Sequence, residues 1–243
     1  MDTLLQFWQW AGFALIAVLL AVLFCLFEFV CTDLKERRTA KAIAACLPDD
    51  ADGLISDLTL PVRKNSTTQV DHILVATHGL YVIEQKNYAG SLTGCEKDSH
   101  WHKVRSNNTL KLQNPFRQNY GHIKAVEQAL NAQGLEYINV VVINGPCRFK
   151  GQKPEWLCMG MEQFIAKVNA RKHMNVLNPE SVRYICDELK LKRKPPGLLT
   201  DLRHIRFVTH KHQKNMKFTQ WVTLGFLNLI DFVYNRIKRK LNV

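Results

Sequence analysis

Two carboxylates and a lysine lie close together in the chain: Asp71 in Val70-Asp71-His72-Ile73, and Glu84 and Lys86 in Val82-Ile83-Glu84-Gln85-Lys86. Side chains alternate along a strand, so Glu84 and Lys86 leave one face and Gln85 the other. Leu80 and Val82 precede Glu84 on that face, which puts the charged groups where an apolar face ends. The short link Thr77-His78-Gly79 makes a hairpin of the two segments. With His78-Gly79 as the turn, Asp71 falls opposite Lys86 and diagonal to Glu84; a register one step different sets Asp71 opposite Glu84 instead. Two acids side by side at such a boundary are costly unless a cation joins them. Hard oxygen ligands favour magnesium or manganese, which Asp71 and Glu84 would hold. The ion can activate a water and stabilise charge on a phosphodiester, while Lys86 positions or deprotonates the attacking water. The same three residues also read as a solvated cross-strand cluster, common on exposed sheet faces.

The surrounding pattern supplies elements able to position such a trio. Residues 31–47 read as a helix with Ala42, Ile43, Cys46 and Leu47 on its apolar face, ended by Pro48-Asp-Asp-Ala-Asp-Gly53. Strands are expected at Leu54–Val62, Gln69–Ala76 and Leu80–Lys86, with shorter ones near Ser91–Cys95 and His100–Val104. Asn114-Pro115 opens a helix of about twenty residues running to Gly134, with proline suited to a first turn. Tyr137–Asn144 is a near-continuous apolar run, the mark of a buried strand. Further helices are expected over Met161–Asn169 and, capped by Asn178, to about Leu191. Strands flanked by helices imply an α/β (α+β) fold with a mixed sheet covered on both faces.

VDHILVATHGLYVIEQKNYAGSLTG, the later Trp101 and NPFRQNYGHIKAVEQAL together resemble the nuclease-related (NERD) domain family over about Lys35 to Asn169. The shared features are an Asp-His strand, a hairpin with glycine at its turn, a Glu-x-Lys-Asn strand followed by an aromatic and glycine, and an Asn-Pro-x-x-Gln helix. The resemblance implies a restriction-endonuclease-like mixed sheet flanked by helices. It also implies metal-binding roles for Asp71 and Glu84, a catalytic role for Lys86, and a site-facing helix glutamine at Gln118. One position departs from the pattern. Family members often carry a glutamate in the first helix where this chain has Ala40, and Glu36 lies one turn earlier.

Composition adds the company the chain keeps. Of 243 residues, 47% are hydrophobic and 22% charged, which excludes wholesale disorder. Lys and Arg number 33 against 21 Asp and Glu, a formal charge of +12 that calls for nucleic acid or anionic lipid. Seven cysteines without a Cys-x-x-Cys pair argue against a zinc ribbon or a disulfide framework and for a reducing compartment. Cys95, Cys147 and Cys158 read as buried small hydrophobes.

Residues 4–30 form an apolar run whose uncharged part, Trp10 to Phe27, is long enough at about 1.5 Å per residue to cover most of a bilayer core. Asp2 without a basic n-region, and a run ending in Phe-Glu-Phe-Val-Cys, favour an uncleaved anchor over a signal peptide. Lys35, Arg37 and Arg38 follow the run and nothing basic precedes it, so a single-pass bacterial inner-membrane protein with a cytoplasmic C-terminal domain is expected. The expected organisation is an anchor over 1–31, a nuclease-like domain over 32–173, and a basic C-terminal region over 174–243 whose residues 218–237 suit an amphipathic helix. Arg105, Lys111, Arg117 and the 190–217 stretch are candidates to grip a DNA backbone without reading bases.

The leading expectation is thus a magnesium- or manganese-dependent DNA nuclease. A non-catalytic nucleic-acid-binding or membrane-surface module keeping the same fold is the alternative. Among other histidines, His100 and His102 read as surface residues around Trp101, His210 and His212 as supplements to a basic stretch, and His122, one turn after Gln118, as a candidate to support the site.

Overall fold

The computed structural model of the chain describes residues 37–195, apart from 64, 65, 106, 107 and 133, together with scattered residues between 6 and 23. The chain divides into two units, Met1–Lys35 with Gly197–Val243, and Glu36–Pro196. The second holds all the strands among the described residues. The expected 4–30 span lies largely, and the 218–237 helix wholly, outside the described residues, among which no helix is long and apolar enough to cross a membrane.

The fold is mixed α/β, but it carries two mixed sheets where the sequence suggests one. Strands β1 (Leu54–Arg63), β2 (Ser66–Ala76), β3 (Gly79–Asn87), β7 (Tyr137–Asn144) and β9 (Leu157–Met159) form the first, in the order β1-β2-β3-β7-β9. The β1-β2-β3 part is antiparallel and the β3-β7-β9 part parallel. Strands β4 (Gly90–Thr93), β5 (His100–Arg105), β6 (Asn108–Gln113) and β8 (Cys147–Lys150) form the second, in the order β6-β5-β4-β8. The second sheet continues the first. The parallel pair β3/β7 stays in register to Asn87↔Asn144, and β4/β8 resumes at Gly90↔Cys147. Gly145 sits at the break with φ +95, where a Cβ would stand 2.6 Å from the Tyr88 carbonyl oxygen, so only glycine lets the two chains pass so closely.

Helices cover both faces of the first sheet. Ile123, Val126 and Leu130 of α2 (Pro115–Leu130) and Ile185 and Leu189 of α4 (Pro179–Lys192) pack with Ile73, Val75, Leu80 and Val82 on one face. Ile43 and Leu47, in and just after α1 (residues 37–46), and Phe164 and Val168 of α3 (Met161–Arg171) pack with Tyr81, Ile83, Val140 and Val142 on the other. The period-2 alternation of β3 is thereby split between two cores, and α4 belongs to the same compact unit as the sheets. A third core of Leu92, Trp101, Phe116, Val141 and Leu157 joins the second sheet to the start of α2.

Local chemistry sets the ends of α2. Asn114 accepts from the Phe116 amide as N-cap, and its Nδ2 donates to the carbonyls of Cys95, Glu96 and Asp98 at 2.7–3.1 Å. The helix stops at Leu130, earlier than Gly134, because Asn131 adopts φ 46 and caps it in the left-handed region. Asn114→Ala should remove both the cap and the anchor of the 94–99 loop. We expect a loss of about 2 kcal/mol in urea unfolding, above the roughly 1 kcal/mol of an ordinary cap. Asn114→Asp, which keeps the cap but cannot donate, should fall between.

Candidate active site

The turn of the β2–β3 hairpin is Thr77-His78, and the pairing runs from Ala76↔Gly79 to His72↔Ile83. The register is therefore the one that sets Asp71 opposite Glu84, not opposite Lys86. Beyond His72 the two strands part. β2 goes on with β1 while β3 goes on with β7, and the Gln85 amide donates to the Asp71 carboxylate (Oδ2, 2.8 Å) in place of a ladder bond. The acids thus sit at the mouth of a split between strands, on the face that carries α2.

Glu84 is buried, at 1% exposure. One of its oxygens forms an ion pair with Lys86 Nζ, and the other stands 3.1 Å from His122 Nε2. Neither Glu84 Oε2 nor His122 Nε2 has a partner with hydrogen-bond alignment, so two buried polar atoms face each other incompletely satisfied. His122 Nδ1 lies 2.8 Å from Thr68 Oγ1 of β2, so this helix residue bridges the split. Its position is fixed from the preceding turn. Asn119, fully buried, donates through Nδ2 to the carbonyls of Val82 and Val140 at 2.7 and 3.1 Å and to Asn139 Oδ1 at 2.8 Å; Asn139 in turn donates to the Phe116 carbonyl.

The electrostatics follow from that packing. Burial, then repulsion from Glu84, pushes the Asp71 carboxyl up to about 7. Burial also opposes ionisation of Glu84, but His122 and Lys86 outweigh it and hold this carboxyl below its ordinary value. Lys86 loses some basicity to burial and regains more from the Glu84 charge beside it, so it stands above its ordinary value as an ammonium. On the opposite face His72, fully buried and 2.9 Å from Ser56 Oγ, is brought down to about 4 by burial.

Asp71 and His72 make opposing contributions to stability. The folded chain holds the Asp71 proton more tightly than the unfolded chain, so that contribution is full below pH 3.8 and is lost as pH rises through about 7. His72 resists protonation when folded, so its contribution is lost as pH falls from about 6.5 toward 4. In metal-free buffer the two slopes offset each other between about pH 4.5 and 6.5. The stability of Asp71→Asn relative to wild type should therefore climb with pH through this window, as read from urea midpoints. A constant difference would mean Asp71 keeps an ordinary pKa.

Of the residues the sequence singles out, Asp71, Glu84 and Lys86 come together. Gln118 lies on α2 one turn before His122 and half-buried, and the helix group that contacts Glu84 is His122. Its spacing from Gln118 was the signal. Asn119, hidden from sequence reading, is the residue that fixes the helix over the strands. Ala40 is on α1, whose buried side packs on the far face, and Glu36 lies outside the described residues. His100 and His102 are exposed on β5, with Trp101 between them fully buried. Cys95 is exposed, contrary to expectation, because it falls in the loop after β4 where its carbonyl rather than its thiol is engaged by Trp101 Nε1; Cys158 is buried and Cys147 half-buried.

A cation fits this site in a limited way. Two carboxylates on one face and an incompletely satisfied Glu84 oxygen suit an ion that keeps most of its waters. Among the described residues no group of three or more His, Cys, Asp or Glu is placed to hold a metal ion.

Mixed sheets flanked by helices, with two acids and a lysine at a strand split, are compatible with a nuclease-like fold. Residues 33–144 match the family model of the nuclease-related domain, NERD. Over 97 residues the chain is 37% identical to an uncharacterized protein of Bacillus anthracis, an alignment covering 40% of this chain and 45% of that protein. The chain thus spans less than half the length of that relative. No solved structure matches it significantly.

Proposed function

We propose that the chain is a magnesium- or manganese-dependent nuclease that hydrolyses DNA phosphodiester bonds at Asp71, Glu84 and Lys86. The observation that carries this reading is the placement of both carboxylates on one face where β2 and β3 part, with Lys86 paired to Glu84. Asp71 and Glu84 would hold the ion through carboxylate oxygens. A bound divalent cation would supply positive charge against the phosphodiester and acidify a water.

The protein's own groups account for the rest. Lys86 is held as an ammonium by Glu84, so it orients the attacking water and offsets charge growing on the phosphate, while the water's proton passes to bulk solvent and the leaving oxygen takes one back from it. His122 stands 3.1 Å from the far oxygen of Glu84, and Asn119 fixes the helix that carries His122. Gln118, one turn toward the helix start, would orient a ligand at the mouth of the split. Asp71 must give up a proton to bind a cation, so metal affinity should rise as pH climbs through about 7.

We further propose that residues 4–30 anchor the protein in a bacterial inner membrane with residues 32–243 on the cytoplasmic side. The supports are the apolar run and the basic residues confined to its C-terminal flank. The nuclease reading is tested by incubating the full-length protein with supercoiled plasmid in magnesium and in EDTA. Nicking that needs the cation and is lost in Lys86→Met supports it; nicking that persists in the variant attributes the signal to something else.

A further inference from the structure

The four strands of the second sheet carry five Lys or Arg and no Asp or Glu. The nearest acids in sequence, Glu96 and Asp98, sit in the β4–β5 loop. Register divides the basic residues between two faces. Lys103 pairs with Leu92 and Leu110, and Leu92 with Phe149, so Lys103 shares the face that packs toward Trp101 and α2. Arg105, two residues on, takes the same side by strand alternation. Lys111, Arg148 and Lys150 point the other way, with Thr93, Ser91 and His102 as cross-strand neighbours.

The face of Lys103 and Arg105 is also the face of the candidate site, since Val141 and Ile143, the cross-strand partners of Glu84 and Lys86, pack with Leu92 and Trp101. Three observations bring the β5 end close to that site. Lys103 Nζ lies over the Tyr88 ring, 5.1 Å from its centroid. Tyr88 is two residues beyond Lys86 and feels its charge. Gly90, with φ +104, lets β5 approach so closely that a Cβ there would stand 2.3 Å from the Val104 carbonyl oxygen and 3.5 Å from Arg105 Cα. Lys86, Arg105 and Lys103 thus lie on one face leading away from the site, with Arg105 exposed beside Gly90 and Lys103 level with Leu92, its ammonium over Tyr88.

We propose that Lys103 and Arg105 hold successive phosphates of one nucleic-acid strand and lead it into the site at Lys86, so that the substrate lies along β5 on the α2 side of the second sheet. The step between Lys103 and Arg105, about 6.7 Å for two strand residues, is commensurate with neighbouring phosphates on one strand. Lipid is the poorer fit, because the exposed large apolar side chains of this sheet, Val104 and Leu110, are divided between its two faces and form no continuous patch. The proposal rests on the nuclease reading for the meaning of the site but not for the binding itself.

The test compares two double variants of equal charge on one sheet. Full-length wild type, Lys103→Gln/Arg105→Gln and Arg148→Gln/Lys150→Gln are titrated against a fluorescein-labelled DNA duplex in EDTA over a range of salt. The first variant should flatten the plot of log affinity against log salt by about 1.8, or about 0.9 for each lost phosphate contact, and the second should match wild type. Arg105→Gln alone, at an exposed position, should remove about 0.9 and covers any misfolding of the Lys103 variant. In cleavage assays the Lys103/Arg105 pair should raise KM and leave kcat nearly unchanged. Equal losses from both doubles, an unchanged slope for the first, or loss confined to phosphatidylserine vesicles would overturn the proposal. The predicted split in binding without any magnesium-dependent cleavage would keep the track and remove the nuclease reading.

Discussion

Lys86→Met is expected to lower magnesium-dependent cleavage by about 10²- to 10⁴-fold, the range for a positioned group that acts on the attacking water or on developing charge. It should hardly change DNA affinity, because one ammonium among many contributes little to backbone binding. The structure adds a second consequence. Lys86 is the cation paired with the buried Glu84, so its removal leaves a carboxylate with only His122 beside it. Removing one partner of a buried pair costs about 3–5 kcal/mol, and the 23% exposure of the Lys86 side chain puts the variant at the lower end. Divalent cations should return part of that stability by taking the place of the ammonium. Kinetics and thermal melting, each with and without magnesium, check both halves. A variant that is destabilised but cleaves normally would make Lys86 a structural residue.

Trp101→Ala should be among the most destabilising single changes, about 3–5 kcal/mol by urea unfolding, as for other large aromatic truncations in a packed core. Trp101 is fully buried between Phe116 of α2 and Phe149 of β8, with ring centroids 5.9 and 5.2 Å away, and its Nε1 donates to the Cys95 carbonyl. It fills the junction between the second sheet and the helix that carries His122. Trp101→Phe, which keeps most of the apolar contact and loses the donor, should cost markedly less. Equal costs for the two would mean the hydrogen bond, not the packing, holds the junction.

The trio itself was legible in sequence because its cause is local. β-branched residues, alternation and a short turn bring Asp71, Glu84 and Lys86 together whatever the rest of the chain does. The register was not, since Thr77-His78 and His78-Gly79 are both acceptable turns, and choosing between them moves Asp71 from Lys86 to Glu84. β6, β8 and β9 escaped notice for a different reason. β8 and β9 are four and three residues long, and β6 is an exposed edge strand with Leu110 at 51% exposure, so none shows a clear buried face. The division into two sheets depends on the break at Gly145-Pro146, a long-range close approach with no local signature. Asn119 is similar: an asparagine in a helix reads as surface, and only the carbonyls of Val82 and Val140 above it explain its burial.

The proposed chemistry depends on Asp71 and Glu84 binding a divalent cation. Calorimetric titration of magnesium and manganese into the full-length protein, with and without DNA, tests it without requiring the right substrate for cleavage. A single cation should bind per chain at millimolar concentration or tighter, more tightly at pH 8 than at pH 6, and be lost in Glu84→Gln. No binding by wild type at millimolar ion, even with DNA present, would contradict it.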